Sequence, residues 1–500
     1  MTHPEAPDGE AVTTETTPAE TTPTGARPTG TAPARPRTSP ARYGVGMFGT
    51  SIPINLIKGS MLFFYVDLLG MDAAVFAGVY AVYGIIDAID NPVFGYLSDR
   101  TRTRWGRRKP YLVVGSAVLL LASIALFAVP GGVASSATAL VVWFAIFAVL
   151  AEMADSLINA NYGALLPELF PAERVRASAN AIRQGCQLLA MILALGLTPV
   201  LAQNVLGCPV DAAGCADPTV GYTRLAVIFA VLGVAVILYM TFGVHEDPQA
   251  SHEERPPFLA SIRQILTNRY FWTIGVVNAC YGSAMALVLN GLQLYVRYSL
   301  GGGGLDATIL QVVVVVGAIG MLAVWARLVR RWGAERTWKR ALPIAAVAFA
   351  PLFFVQDLLG AVIAGLCVAV GYSGVLATND LIMARVLDDD ATRHGVHREG
   401  IFLSAFGVLG RLNGLVVAAA LASLTLFFGY RSGATPGPNP DLAFRFYLSV
   451  YPVILLVIGT VISRFVHVPG WDPRNPDAGR DGRTGAAGER VEVLRGDLGD

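Results

Sequence analysis

Gly95-Tyr96-Leu97-Ser98-Asp99-Arg100-Thr101-Arg102-Thr103-Arg104-Trp105-Gly106-Arg107-Arg108-Lys109-Pro110 is a basic loop between two apolar stretches. The stretch before it, 72–98, and the one after it, 110–130, are each about 20 residues or longer. At about 1.5 Å per helical residue, such a run crosses about 30 Å of hydrocarbon. Gly95 allows close helix approach, and Asp99 at a helix end is placed to pair with neighbouring basic groups. An ordinary loop on the positive side of a membrane needs only the arginine excess. The ordered G-x-x-x-D-R pattern reads further, as a breakable charge network. We take Gly95, Asp99, Arg100, Arg104, Gly106 and Arg107 as a gate between two helical bundles.

Working outward, apolar runs of similar length recur along all 500 residues, of which 54% are AVILMFWYC and 15% charged. Soluble domains rarely carry so much apolar surface. The fold class predicted is an all-α membrane protein with twelve transmembrane helices in two six-helix halves. The spans fall near 44–68, 72–98, 110–130, 138–166, 178–202, 222–244, 271–299, 306–327, 341–358, 360–387, 400–428 and 442–467. The N-terminal half is 43–244 and the C-terminal half 271–467. A polar central segment, 245–270, separates them, with Phe258, Ile262, Ile265 and Leu266 at the spacing of a surface-lying helix. Residues 1–42, rich in Thr, Pro and Ala, lack the apolar core of a signal peptide and read as a disordered tail, as does 468–500.

Several function classes drop out. Net charge is +1, so no global field favours nucleic acid. No G-x-x-x-x-G-K-[ST] segment supplies an ATP motor. Cys186, Cys208, Cys215, Cys280 and Cys367 form no C-x-x-C pair. Cys208 and Cys215 share the loop CPVDAAGC, where a disulfide and two free thiols are both open. Asp388, Asp389 and Asp390 with His394 and His397 suggest a metal at first sight, but read better as a solvated loop. No nucleophile–base pair supports catalysis.

Arginine and lysine set the orientation. They crowd the loops at 100–109, 174–176, 255–269, 330–340 and 393–398, while the alternate loops hold few, Arg431 being the main exception. Both termini are therefore expected in the cytoplasm, in a multi-pass protein of the cell membrane. The halves also echo each other: GYLSDRTRTRWGRRKP at 95–110 and ARLVRRWGAERTWKR at 326–340 both set basic residues around Trp-Gly after the second helix of a half. Alternating-access transporters are built from such repeats.

These residues resemble a known family. The loop resembles the loop motif of the major facilitator superfamily. DNPVFGYLSDRTRTRWGRRKP is similar to the glycoside–pentoside–hexuronide:cation symporters, of which melibiose permease is a member. Tyr43–Gly70 (YGVGMFGTSIPINLIKGSMLFFYVDLLG) resembles that family's first helix, NYGALLPELFPAERVR its fourth helix and following loop, and ARVLDDDATRHGVHREGIFLSAFGVLGR its entry to helix eleven. The resemblance implies cation-coupled symport, with Na⁺ or H⁺ as the coupling ion and no other cofactor. It implies a small-molecule substrate, a lipid bilayer around the chain, and a monomer by analogy of fold.

Charges inside a membrane are costly and should face a cavity or each other. Asp87 and Asn91 share a face of span two at i, i+4, with Asp90 beside them. Their oxygens suit Na⁺, and a lone carboxylate suits H⁺. The resemblance implies that Asp87 holds the coupling cation with Asp90 and Asn91, and that Arg411, where the family has a lysine, bridges to Asp87. A structural ion pair is the other reading. Glu152, Asp155 and Asn159 form a stripe at i, i+3, i+7 that either lines a cavity or pairs with Arg183. The resemblance places Asn159 and Arg183 at the solute, and Ser51 where melibiose permease carries an acid. Lys58 lies about two turns deeper and needs a partner, Asp87 or Asp155 on grounds of depth. Tyr281 and Asn290 in span seven, near Asn278 and Gln293, suit either a solute site or helix–helix hydrogen bonds. Asn379 and Asp380 in span ten carry the same two readings. With Ser51 and Asn159 in place of acids, an anionic or less hydroxylated solute gains weight over a galactoside.

The function expected is cation-coupled symport of a small polar solute, a sugar or glycoside, by alternating access. The alternative is proton-coupled export of a hydrophobic or antibiotic-like compound.

Overall fold

α1 (Pro40–Leu62) begins with proline in its first turn, where the missing N–H is not needed. It continues through a π-helical turn, Phe63–Leu68. The computed structural model describes residues 38–101, 103–170, 173–209, 215, 217–245, 267–394, 406–410, 413–431 and 436–466, all within the unit Arg37–Asp500. Asp72 accepts from the N–H groups of Ala74 (2.9 Å) and Val75 (3.0 Å) and so caps α2 (Ala73–Arg100). α3 (Lys109–Phe127) again has proline in its first turn. Ser136 caps α4 (Ala137–Leu169). α5 (Glu173–Met191) runs on through Ile192–Gly196, Thr198–Val200 and Leu201–Val205, with a 42° bend before Thr198. α6 is Val220–Gly243.

α7 (Arg269–Ser299) is capped by Asn268. α8 (Gly304–Trp332) and α9 (Ala334–Phe349) meet at Gly333. α10 is Leu358–His394, α11 is Phe406–Phe428 with 411–412 outside the described residues, and α12 is Pro440–Arg464.

The packing has a hidden regularity. Among α1–α6 the main pairs are α1–α5, α1–α6, α2–α4, α3–α4 and α3–α6. Adding six to each label gives α7–α11, α7–α12, α8–α10, α9–α10 and α9–α12, and each of these also packs. Between the two sets, α2 meets α11 and the end of α5 meets α8, two contacts that exchange under the same shift. α1–α7 maps onto itself. The Trp-Gly echo belongs to this pattern. Gly106 (φ 106°) and Gly333 (φ 81°) both take the left-handed conformation that favours glycine, each in the turn after the second helix of its set. Where α2 crosses α11, a Cβ on Gly84 would lie 3.2 Å from the Cα of Gly414, so the two backbones nearly touch.

The sequence predicts twelve spans. Among the described residues eight helices are long and apolar enough to cross a membrane: α3, α4, α6, α7, α8, α10, α11 and α12. The bent pair Ser178–Gly196 and Thr198–Val205 makes a ninth if it counts as one span. The shortfall has a physical cause. The apolar part of α2, Ala73–Asp87, stops at its first carboxylate, α1 is diluted by Gly, Ser, Pro and Lys58, and α9 has 16 residues with a charged first half. In α1 and α2 the groups that lower hydropathy are those the sequence picks as functional. The surface helix expected near 258–266 lies outside the described residues.

Candidate functional site

Three helices converge on Lys58. It projects from α1 toward the α4 stripe, with Nζ 3.3 Å from Glu152 Oε1 and 3.8 Å from Asp155 Oδ2. The Tyr83 hydroxyl, from α2, donates to Glu152 Oε2. The Asn159 amide donates to Asp155 Oδ1 at 2.6 Å. Each oxygen of these two carboxylates thus faces a donor or the ammonium. The helical period of α4 places Glu152, Asp155 and Asn159 on one face, which is why one lysine can reach two acids. Glu152 is almost fully buried, with 1% of its side chain exposed, whereas Lys58 keeps 33%.

The Asp87 carboxylate and the Tyr80 hydroxyl, both on α2, lie within electrostatic reach of Lys58. The Tyr80 and Tyr83 rings stack at 5.2 Å. The cluster reaches the second helix set through Asn290 of α7, whose Nδ2 donates to Ala286 O (2.8 Å) and lies 3.5 Å from the Tyr80 hydroxyl. Asn290 Oδ1 is buried and accepts no hydrogen bond. Lys58, Glu152, Asp155, Asp87, Tyr80, Tyr83 and Asn290 form one polar group inside an apolar bundle. Hydroxyls, amides and carboxylates so arranged can hold a polyhydroxylated solute or a proton.

The other residues singled out in the sequence scatter. Ser51 is buried in α1, about two turns from Lys58, and Asp90 is buried in α2. Asn91 lies in α2, with its side chain outside the description, and Arg411 lies outside the described residues. Arg183 does not pair with the α4 stripe. Its charge lies within electrostatic reach of the Tyr43 side chain, and its Nε is buried without a hydrogen-bond partner. Tyr43 and Tyr162 stack at 4.6 Å and exchange hydroxyl-to-carbonyl bonds of 3.0 and 2.8 Å, clasping α1 to α4. Arg183 belongs to that clasp, because its place along α5 sets it beside Tyr43, while the Asn159 amide turns to Asp155. Tyr281 donates to Tyr372 O at 3.3 Å and stacks on that ring, tying α7 to α10 rather than meeting the Lys58 cluster.

At the basic-loop end, Arg107 and Arg108 both engage Glu168 at the end of α4, Arg108 through Nη2 at 2.6 Å and Nε at 3.0 Å. Arg100 and Arg104 are exposed, the latter on the turn that Gly106 closes, so Arg104 does not join the Glu168 network. Gly95 and Asp99 lie in α2, and the side chain of Asp99 is not described. Sequence reasoning missed Glu168 and Arg108 as the core of this network. The signal was an acid at the foot of α4 facing a loop of arginines.

The opposite end joins the two helix sets. Arg297 and Tyr298, closing α7, both bind Asp67, closing α1, whose side chain is 1% exposed. Gln293 Nε2 donates to Gly59 O (3.0 Å), and Gln293 Oε1 accepts from the Tyr222 hydroxyl (3.0 Å), which in turn accepts from Gln203. Thr308 of α8 accepts from the N–H of Val200 at 3.0 Å. A cavity of about 230 Å³ lies beside these bonds, bordered by Phe63, Gln203, Gln293 and Arg297. The signal for Asp67 and Arg297 is a repeat: Tyr65-Val66-Asp67 leads to Gly70, and Tyr295-Val296-Arg297 leads to Gly301, both glycines at positive φ. The Tyr65 and Tyr295 hydroxyls make the same bond, 2.7 Å to Leu126 O and to Leu352 O.

Cys208 and Cys215 are disulfide-bonded, which closes the open question on that loop. No group of three or more metal-ligating side chains occurs among the described residues.

Known proteins share this architecture. The nucleoside transporter NupG superposes with a TM-score of 0.62 at 12% identity, over 85% of this chain and 99% of its own, a likeness of fold. An isoprimeverose transporter of Lactiplantibacillus pentosus is 24% identical over 397 residues, covering 75% of this chain and 79% of that one. A glucuronide carrier protein homolog of Escherichia coli is 21% identical, covering 81% and 87%. The MFS/sugar transport protein family matches residues 42–469. The chain is thus a multi-pass membrane transporter and not an enzyme, and it belongs to the MFS/sugar transport protein family, the glycoside–pentoside–hexuronide branch of the major facilitator superfamily.

Proposed function

We propose that the protein is a secondary active symporter that couples Na⁺ or H⁺ to a small polar solute, a sugar or glycoside, by alternating access. The observation that carries this reading is the polar group around Lys58, which draws α1, α2 and α4 together and reaches α7 through Asn290. A charged cluster at mid-bundle is a functional site by default, because burying it otherwise only destabilises the fold. The names of the isoprimeverose transporter and the glucuronide carrier homolog support a sugar-like solute.

In this reading twelve spans form two six-helix halves, 43–244 and 271–467, and the six-position shift in helix packing supports that division. Asp87 takes up the coupling cation, with Asp90, Asn91 and Arg411 beside it. Ser51, Lys58, Asn159 and Asn290 face the solute, while Arg183 and Tyr281 hold neighbouring helices in place. Arg107, Arg108 and Glu168 fasten the basic-loop end, which lies in the cytoplasm with both termini. The protein works as a monomer in the cell membrane.

The test is solute-driven cation entry in proteoliposomes, across glycosides, pentoses, hexuronates and organic anions, with Asp87→Asn alongside. One solute should drive Na⁺ or H⁺ inward in the native protein, and Asp87→Asn should abolish that flux while solute binding persists. Cation flux that is unchanged in Asp87→Asn would remove Asp87 from the coupling role.

A further inference from the structure

We propose that the Lys58 ammonium is the resident cation of a carboxylate site between α1 and α4. It fills the place a sodium ion would take, so this site binds no sodium while Lys58 is present and becomes a sodium site once Lys58 is removed. The inference goes beyond the transport reading and does not need it, since it concerns ion binding at rest.

Glu152 and Asp155 lie three residues apart on one face of α4, the first almost wholly buried. Two carboxylates at that spacing cannot both stay ionised in a low-dielectric interior unless a cation lies between them. Lys58 Nζ is within 3.3 Å of one and 3.8 Å of the other. The remaining oxygens are also engaged, Glu152 Oε2 by the Tyr83 hydroxyl and Asp155 Oδ1 by the Asn159 amide. The first coordination sphere of this pair is therefore full.

The groups in contact with the ammonium are carboxylate oxygens, Glu152 and Asp155 of α4. On α2 the Tyr80 hydroxyl and the Asp87 carboxylate lie within electrostatic reach, with Tyr83 on the far side of Glu152. From α7, Asn290 sets its amide against Tyr80, and its Oδ1 is buried with no donor, an acceptor in search of a positive partner. Carboxylate, amide and hydroxyl oxygens suit hard cations. A lysine threaded into such a set is a cation on a four-carbon tether, a compact point charge that no ion gradient can remove.

The test compares thermal unfolding of purified full-length variants in NaCl, KCl and choline chloride at equal ionic strength. All are made in the Asp87→Asn background, so that sodium bound at that carboxylate does not contribute. With Lys58 present, the midpoint should be the same in the three salts. Lys58→Ala should gain a midpoint that rises with NaCl alone and saturates, as expected of a ligand bound only by the folded state. Adding Glu152→Gln should abolish the rise. Lys58→Met, which keeps the bulk of the stem, runs alongside so that a packing void is not read as ion binding. If Lys58→Ala folds only in NaCl, that rescue is the same positive result. The idea is overturned if Lys58→Ala melts alike in all three salts or fails to fold in any. It is equally overturned if the protein with Lys58 intact is already stabilised by sodium in a way that Glu152→Gln removes. None of these readings depends on uptake, so loss of transport in the proposed assay would leave the result standing.

Discussion

Arg107 and Arg108 are neighbours with the same charge and the same partner, yet they should not be equivalent. Only 6% of the Arg108 side chain is exposed, against 20% for Arg107, and Arg108 binds Glu168 through both Nε and Nη2. A planar guanidinium held at two nitrogens gains orientation as well as charge. Removing one partner of a buried pair leaves the other uncompensated, which costs about 3–5 kcal/mol in full burial and less here. Arg108→Ala should therefore lower the unfolding midpoint and the initial uptake rate more than Arg107→Ala, and Glu168→Gln should resemble Arg108→Ala. The α4 stripe was legible in the sequence because Glu152, Asp155 and Asn159 follow the helical period. Depth along the membrane pointed Lys58 to Asp87 or Asp155, and Asp155 is one of its two partners at 3.8 Å. Glu152, nearer at 3.3 Å, was not legible, because the rotation of α1 about its own axis leaves no mark in a single helix. The same blindness applies to Arg183, which shares a depth with several acids and lies beside the Tyr43–Tyr162 pair instead.

Between helices, the end that holds Asp67 is tied shut by partners drawn from both sets. Arg297 and Tyr298 bind Asp67, and Gln293 reaches Gly59 across α1–α7. If these bonds form and break as the halves rock, weakening one should open that end. Asp67→Asn keeps the shape but drops the charge, and should raise the rate at which a Ser60→Cys thiol reacts with a water-soluble maleimide, in a background without other free thiols. Ser60 is 1% exposed, so the starting rate should be close to zero. An unchanged rate would mean that the remaining hydrogen bonds hold the end closed by themselves. At this scale the long apolar helices could be read directly, since length and hydropathy decide them. The bend in α5 and the closeness of α2 and α11 could not, because both depend on neighbours. Gly84 and Gly414 look in the sequence like any other small residues.

Seen whole, the bundle repeats its own packing plan with a shift of six helices, so each set carries most of its contacts internally. Two polypeptides, 1–256 and 257–500, expressed together should then assemble and restore a large share of uptake, while either alone should not. Recovery would be measured as initial rate per amount of co-purified complex. The repeat was half visible beforehand. Trp-Gly at 105–106 and 332–333 announced it, but the second marker, Tyr-Val before Asp67 and before Arg297, went unread because the charge is inverted between the copies. That inversion is what lets a duplicated segment bind its twin.

The disulfide between Cys208 and Cys215 has one more consequence. It sits at the end away from the basic loops, and disulfides are rare where thioredoxin and glutathione keep thiols reduced. In the proposed orientation, with the basic loops in the cytoplasm, the bond faces the outside and serves as a chemical test of that orientation. A reductant that cannot pass the bilayer should expose those two thiols in intact cells, and in inverted vesicles it should leave them hidden.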